Sequence, residues 1–331
     1  MTTTVACAQA PASLERRATL ADWLALATVS VGLFLAVLST TVVSVALPTL
    51  GRDLHASSSE LEWVVDAYVL VYATLLLTFG SLGDRFERKA LFAAGVGLFG
   101  VGAVLSGVAP GMAPLIGGRV IQGIGAAILV PGSLTIVRAL FAEPRQRATA
   151  IGVWSTNSGL ALAVGPPLGG ALVDAFGWRA VFLVNAPLVI VVLVAIARFV
   201  PRLPVGSAVR RLDWPGMLLP IVGIGALVFA VIEGGALGTR AFAIFGLGIL
   251  SLVGLGVWES RRREPMLDVR LFLRPAFAAA NVAAFAVFLA FVGAIIYFSA
   301  YFQQVQGLSA GATGLDVAAI GIAYAVAASV S

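Results

Sequence analysis

Gly80-Ser81-Leu82-Gly83-Asp84-Arg85-Phe86-Glu87-Arg88-Lys89 packs five charges into ten residues between two apolar runs, 62–82 and 90–109. Crossing the hydrocarbon of a bilayer takes roughly 20 apolar residues, so the pattern is that of two membrane-spanning helices joined by a short polar loop. A tight turn between antiparallel helices needs glycine, and Asp84 is placed to cap and compensate the N-terminus of the helix that follows. The same alternation continues in both directions. It predicts spans at 23–47, 62–82, 90–109, 114–138, 148–172, 180–199, 214–233, 241–258, 277–302 and 313–331. All ten are expected to be helices: lipid offers backbone groups no partner outside the segment, and the short alternating strands of a barrel are missing from the sequence. The expected fold class is therefore an all-α integral membrane protein.

Composition agrees with that reading and removes others. The 331 residues are 60% hydrophobic and 11% charged, with mean hydropathy +1.02, against about 25% charged in soluble domains. The net charge of +5 does not form the basic face of a nucleic-acid binder, because the arginines lie between apolar runs. Cys7 is the single cysteine, which leaves no intramolecular disulfide and no cysteine metal site or redox pair. No nucleophile with its base, metal-ligand cluster or phosphate-cradling loop emerges, so neither an enzyme nor a cofactor is expected. Residues 1–22 form an N-terminal tail and not a signal peptide, since the run after Arg16 and Arg17 far exceeds a signal's apolar core.

Orientation follows from the basic residues. With the N-terminus inside, 17 of the 21 Lys and Arg fall in cytoplasmic segments, and only Arg52, Arg179 and Arg240 fall outside. The positive-inside rule therefore predicts a cytoplasmic N-terminus. The remaining one, Arg119, has no loop to occupy, because Lys89 to Arg119 is too short for two spans and the apolar run continues to Val137. A charge at the centre of a membrane helix costs about 2.5–3.5 kcal/mol, so Arg119 is expected to be paired, hydrated or functional, the alternative being a side chain snorkelling to the interface.

Several motifs, taken together, carry a resemblance. The 80–89 loop, with Gly80, Gly83, Asp84, Arg85 and Arg88, resembles the GxLaDrxGrk signature of the major facilitator superfamily, although Glu87 replaces its second glycine. Arg119-Val-Ile-Gln122-Gly123-Ile-Gly125-Ala-Ala is similar to the family's fourth-helix motif, associated with proton coupling. Gly165-Pro166-Pro167-Leu168-Gly169-Gly170 resembles its fifth-helix antiporter motif, a mark of exporters. Trp63-Val-Val-Asp66-Ala-Tyr68 and Trp178-Arg179-Ala-Val-Phe182-Leu-Val-Asn185-Ala-Pro187 match the fourteen-span EmrB/QacA branch of drug:proton antiporters. The resemblance implies a helical bundle, a bacterial inner-membrane location, and export of amphipathic drugs in exchange for protons. Export of an endogenous metabolite fits the same motifs. A monomer in the lipid bilayer is the expected state, with no nucleic-acid partner.

The same resemblance divides the chain into a six-helix bundle over 23–200, two inserted helices over 201–275 preceded by Leu212-Asp213-Trp214-Pro215-Gly216, and two helices of a second bundle over 276–331. Ten of an expected fourteen spans are present, and a truncated, non-transporting membrane fragment is a third reading of the chain.

Asp66 and Arg119 enter their spans at comparable depths, about 7 and 8 Å by helix rise, so a pair in which Arg119 tunes a titrating Asp66 is expected. Cation binding by Asp66, or a hydrated position at the entrance without a task, remain alternatives. Trp63 and Tyr68 are candidate aromatic contacts for a substrate, and Ser39, Thr41 and Gln122 candidate polar ones. Where the branch carries an acid and an amide in span one, this chain has Ser39 and Ser44, and local bonding of these hydroxyls to helix carbonyls is an equal alternative. In span five, Gly165, Gly169 and Gly170 leave notches for a neighbouring backbone, and Pro166 and Pro167 favour a bend. Ordinary small-residue packing explains the glycines as well. Glu233 is expected at the interface, with a second acid for binding as the alternative, His55 in a solvated loop, and Asp316 has no assigned role.

Overall fold

A computed structural model describes residues 18–82, 86–203, 213–262 and 268–330. Gly83, Asp84 and Arg85 of the loop motif lie outside the described residues. Ten long helices stand where ten spans are expected: α1 Leu20–Leu54, α2 Ser58–Leu82, α3 Arg88–Gly107, α4 Met112–Leu140, α5 Pro144–Phe176, α6 Ala180–Phe199, α7 Trp214–Ile232, α8 Arg240–Arg261, α9 Pro275–Gln304 and α10 Ala310–Val330. Among the described residues, eight of these helices, α1 and α3 to α9, are long and apolar enough by composition to cross a membrane. Among the described residues there is no strand.

Local chemistry sets where the helices end. Thr19 and Asp22 form a reciprocal capping box, which starts α1 before the uncharged run begins. At its other end α1 carries Pro48 and Arg52 and reaches 35 residues, or about 52 Å. His55 closes it in a left-handed conformation (φ 51°), its N–H donating to the Gly51 carbonyl. That histidine is a helix terminator and not merely a solvated loop residue. Ser57 and Glu60 then cap α2 in turn. The departure from the loop motif has a similar cause: the Glu87 carboxylate accepts from the Lys89 and Ala90 amides and caps α3.

Helices α1–α6 pack as one body. α1 lies against α4, α5 and α6, α3 against α4 and α6, and α2 against α4. Leu26, Leu35, Phe92, Phe99, Leu129, Ile136 and Val189 belong to the main core between them. α7 and α8 pair with each other and reach the body through α7 on α2, whereas α9 rests on α1 and α10 on α5. Exposed side chains such as Val101, Ile190, Val191, Phe242 and Leu250 are large and apolar, the surface expected where the solvent is acyl chain. α5 is helical without interruption through Pro166 and Pro167.

Candidate functional site

Arg119 is fully buried in the α1–α6 body. Its Nε donates to the Val64 carbonyl at 2.8 Å, and its Nη1 donates to Ser39 Oγ at 2.9 Å and Gln122 Oε1 at 2.7 Å. Gln122 Nε2 donates to the same Ser39 Oγ at 3.0 Å. The guanidinium lies over the Tyr68 ring, 4.2 Å from its centroid, with Phe182 at 6.0 Å. Nη2 has no hydrogen-bond partner, and no carboxylate pairs with the cation among the described residues. Ser39, which stands where the branch has an acid, is thus the acceptor that joins α1 to α4, and it is not turned back onto its own helix. The snorkelling alternative is excluded by the burial.

Asp66 is not among the partners of Arg119, which corrects the expected pair. The half-buried Asp66 faces away, into a cavity of about 230 Å³ lined also by Ser44, Pro48, Glu62, Ile296 and Gln304. The cavity lies at the end of the bundle that carries the α1–α2 turn, between α1, α2 and α9. Glu62 and Asp66 are four residues apart and so project from one face of α2.

The proposed aromatic contacts are engaged elsewhere. Tyr68 is fully buried and its hydroxyl donates to the Ala36 carbonyl at 2.7 Å. Trp63 Nε1 donates to Glu233 Oε1 at 2.8 Å, and Ser59 Oγ donates to the same oxygen at 2.6 Å. Those two bonds hold the Glu233 carboxyl below its usual pKa and tie the end of α7 to the start of α2. Thr41 is buried, its hydroxyl donating to the Leu38 carbonyl at 3.2 Å. Neither ring lines the cavity, and neither do Ser39, Thr41 and Gln122.

The antiporter motif divides its glycines between two neighbours. A side chain at Gly165 would meet Thr41 Oγ1, and one at Gly169 would meet the Val42 carbonyl at 2.7 Å, both on α1. At Gly170 it would meet the Ala310 carbonyl at the start of α10. In the loop motif, a side chain at Gly80 would lie 3.9 Å from Pro131 Cβ on α4, and Arg88 Nε is buried without a partner among the described residues. Asp174, Ser309 and Gly311, which the sequence reading passed over, meet across α5 and α10. Their only sequence signal is a carboxylate one turn past the antiporter motif.

The sequence profile of the Major Facilitator Superfamily matches residues 29–331. The chain belongs to the major facilitator superfamily. Among its superfamily relatives is the multidrug resistance protein Stp of Mycobacterium tuberculosis (strain CDC 1551 / Oshkosh), 36% identical over 306 residues, covering 92% of this chain and 57% of Stp. Another is the methylenomycin A resistance protein of Streptomyces coelicolor, 34% identical, covering 89% of this chain and 62% of that protein. The chain therefore spans about three-fifths of the length of these relatives. A bacterial homologue of the human lysosomal transporter Spinster has the same superfamily fold, with a TM-score of 0.65 at 19% identity, over 94% of this chain and 61% of that one. A peptide transporter, POT, aligns with a TM-score of 0.64 at 18% identity over 92% of this chain and 67% of its own. The superfamily is one of multi-pass membrane transporters, and enzyme chemistry has no place in this reading.

Proposed function

We propose that this chain is part of an exporter that moves amphipathic, toxic compounds out of a bacterial cell in exchange for protons, with Asp66 as the proton-carrying group. The names of the relatives support the substrate class, and the antiporter motif on α5 supports exchange. The observation that carries the coupling role is the Asp66 cavity. At about 230 Å³ it is smaller than the 300–1,000 Å³ of pockets for drug-sized ligands, and two carboxylates, Glu62 and Asp66, line it.

The charge asymmetry of the loops supports a cytoplasmic N-terminus in the inner membrane, which turns the cavity toward the outside. A carboxylate there meets external protons while still being part of α2. Inward proton flow supplies about 2.3 kcal/mol per charge per 100 mV, enough for a gradient of roughly fifty-fold. The packing supports the division into a six-helix body over 23–200, an inserted pair over 201–275 and the start of a second bundle over 276–331.

The test uses inverted membrane vesicles from cells expressing the gene that carries this sequence. A lipophilic cationic dye should accumulate on imposing an inside-acid gradient, and Asp66→Asn should abolish that accumulation while the protein stays in the membrane. Undiminished gradient-driven uptake by Asp66→Asn would remove Asp66 from the mechanism.

A further inference from the structure

The α9–α10 pair meets the α1–α6 body over only part of its length. Along α9, residues 279–290 are exposed on every side, and burial begins at Phe291 and Ile295, which pack with Leu162 and Val317. Contact between the two groups is thus concentrated toward the end that carries the α1–α2 turn. There the backbones come close: Gly170 sits against the Ala310 carbonyl, and Gly314 against the Pro166 carbonyl. Among the described residues, two polar links cross the seam at this end. Gln303 Nε2 donates to the Val45 carbonyl at 3.0 Å, a neutral bond. The other is charged.

Asp174, in the last turn of α5, accepts with one carboxylate oxygen from Ser309 Oγ at 2.9 Å and from the Gly311 amide at 2.9 Å. Ser309 Oγ in turn accepts from the Ala312 amide at 3.2 Å. The first turn of α10 is therefore capped twice, once by its own serine and once by a carboxylate from another helix. A helix start presents unpaired N–H donors and about half a positive charge, so a carboxylate is the side chain best suited to hold it. These bonds lie on the exposed rim. They can open without dragging apolar surface into water, unlike the Leu162–Phe291–Ile295–Val317 contact beneath.

We propose that Asp174 is a gating residue of the transport cycle: its carboxylate clamps the start of α10 to the end of α5, and release of that clamp is a step in opening this end. The proposal rests on the exporter reading insofar as it presumes a protein that alternates between two states. Asp174 touches no substrate in this arrangement; it acts through the position of α10.

The test measures opening directly and needs no substrate or gradient. In a Cys7→Ser background, spin labels at Phe176→Cys on α5 and Val305→Cys at the end of α9 report the width of this end in lipid nanodiscs. With Asp174 present, one short distance should dominate. Asp174→Ala should raise the ratio of long to short distances about tenfold, the order expected when two hydrogen bonds to a solvent-exposed carboxylate are lost. Asp174→Glu, which keeps the carboxylate, should lie between the two. A distance distribution unchanged by Asp174→Ala would overturn the proposal. If Asp174→Ala does not fold, Ser309→Ala removes one donor and should shift the ratio the same way by a smaller factor; no shift there overturns it equally. The Asp66→Asn vesicle assay tests the exporter reading separately, because the label distances do not depend on what is exported.

Discussion

At Arg119 one side chain makes a lasting demand on three helices. A fully buried guanidinium is costly unless its donors find acceptors; here Nε and Nη1 find them in the Val64 carbonyl on α2, Ser39 on α1 and Gln122 on α4, while Nη2 and the charge have no partner among the described residues. Two aromatic rings complete the enclosure. Ser39→Ala should leave Gln122 Nε2 without an acceptor and strip one from Arg119, at a cost of about 1–3 kcal/mol. Ser39→Asp should supply the missing counter-charge and raise stability. Thermal melts in detergent should therefore place the Ser39→Asp variant above the parent and the parent above the Ser39→Ala variant; a melt insensitive to both changes would show that the cluster contributes nothing to folding. That Arg119 sits within a helix and has no loop to occupy was legible from span length alone. Of its partners, Gln122 lies three residues on and shares its helix face, but Val64 and Ser39 lie 55 and 80 residues away and were not legible, and similar depth along two helices says nothing about which way each side chain turns. Asp66 and Arg119 share a depth and point to different places.

At the scale of whole elements, the sequence was most informative about the spans, because lipid requires every one to be a long uncharged helix. It was least informative about how α7 and α8 attach, since that depends on a few polar contacts at the ends. Glu233 supplies them, accepting from Ser59 and Trp63, with Phe229 against the Trp63 ring at 6.0 Å. Its pKa lies below the usual 4.5 because the charged form holds both bonds. A depressed folded-state pKa means that the stabilisation is complete above the unfolded value and is lost as pH falls through the folded one. Acidification below 4.5 should therefore loosen α7 from α2. Trp63 emission, isolated as the difference between the parent and Trp63→Phe, should shift on acidification in the parent and stay flat in Glu233→Gln. An identical acid transition in Glu233→Gln would assign the titration to another group. At the opposite end Asp213 joins α7 and α8 to each other: burial disfavours its charge, and bonds from Trp258, Gly216 and Arg262 outweigh that. Polar contacts at the margins of otherwise apolar helices thus hold the pair together at one end and tie it to α2 at the other.

For the molecule as a whole, the antiporter motif reads in the sequence as a single run of small residues, and periodicity cannot say which helix each notch receives. The structure separates them. Gly165 and Gly169 admit α1, a neighbour within the α1–α6 body, whereas Gly170 admits α10 across the seam. The physical consequences of adding one methyl group should differ accordingly. At Gly169 the group would press on the Val42 backbone at 2.7 Å, where neither helix can yield without disturbing the core, so Gly169→Ala should lower the melting temperature by an overpacking cost of about 1–3 kcal/mol. At Gly170 the obstacle is the Ala310 backbone, and the seam can yield by letting α10 move away. Gly170→Ala should therefore leave the melt nearly unchanged and raise the long-distance population between labels at Phe176→Cys and Val305→Cys, much as Asp174→Ala should. Gly169→Ala should leave that population where it was. The two readouts together decide the matter: a Gly170→Ala protein that melts early with its distances intact would make the α5–α10 contact part of the permanent core, whereas the opposite pair of results makes it the surface along which this end opens.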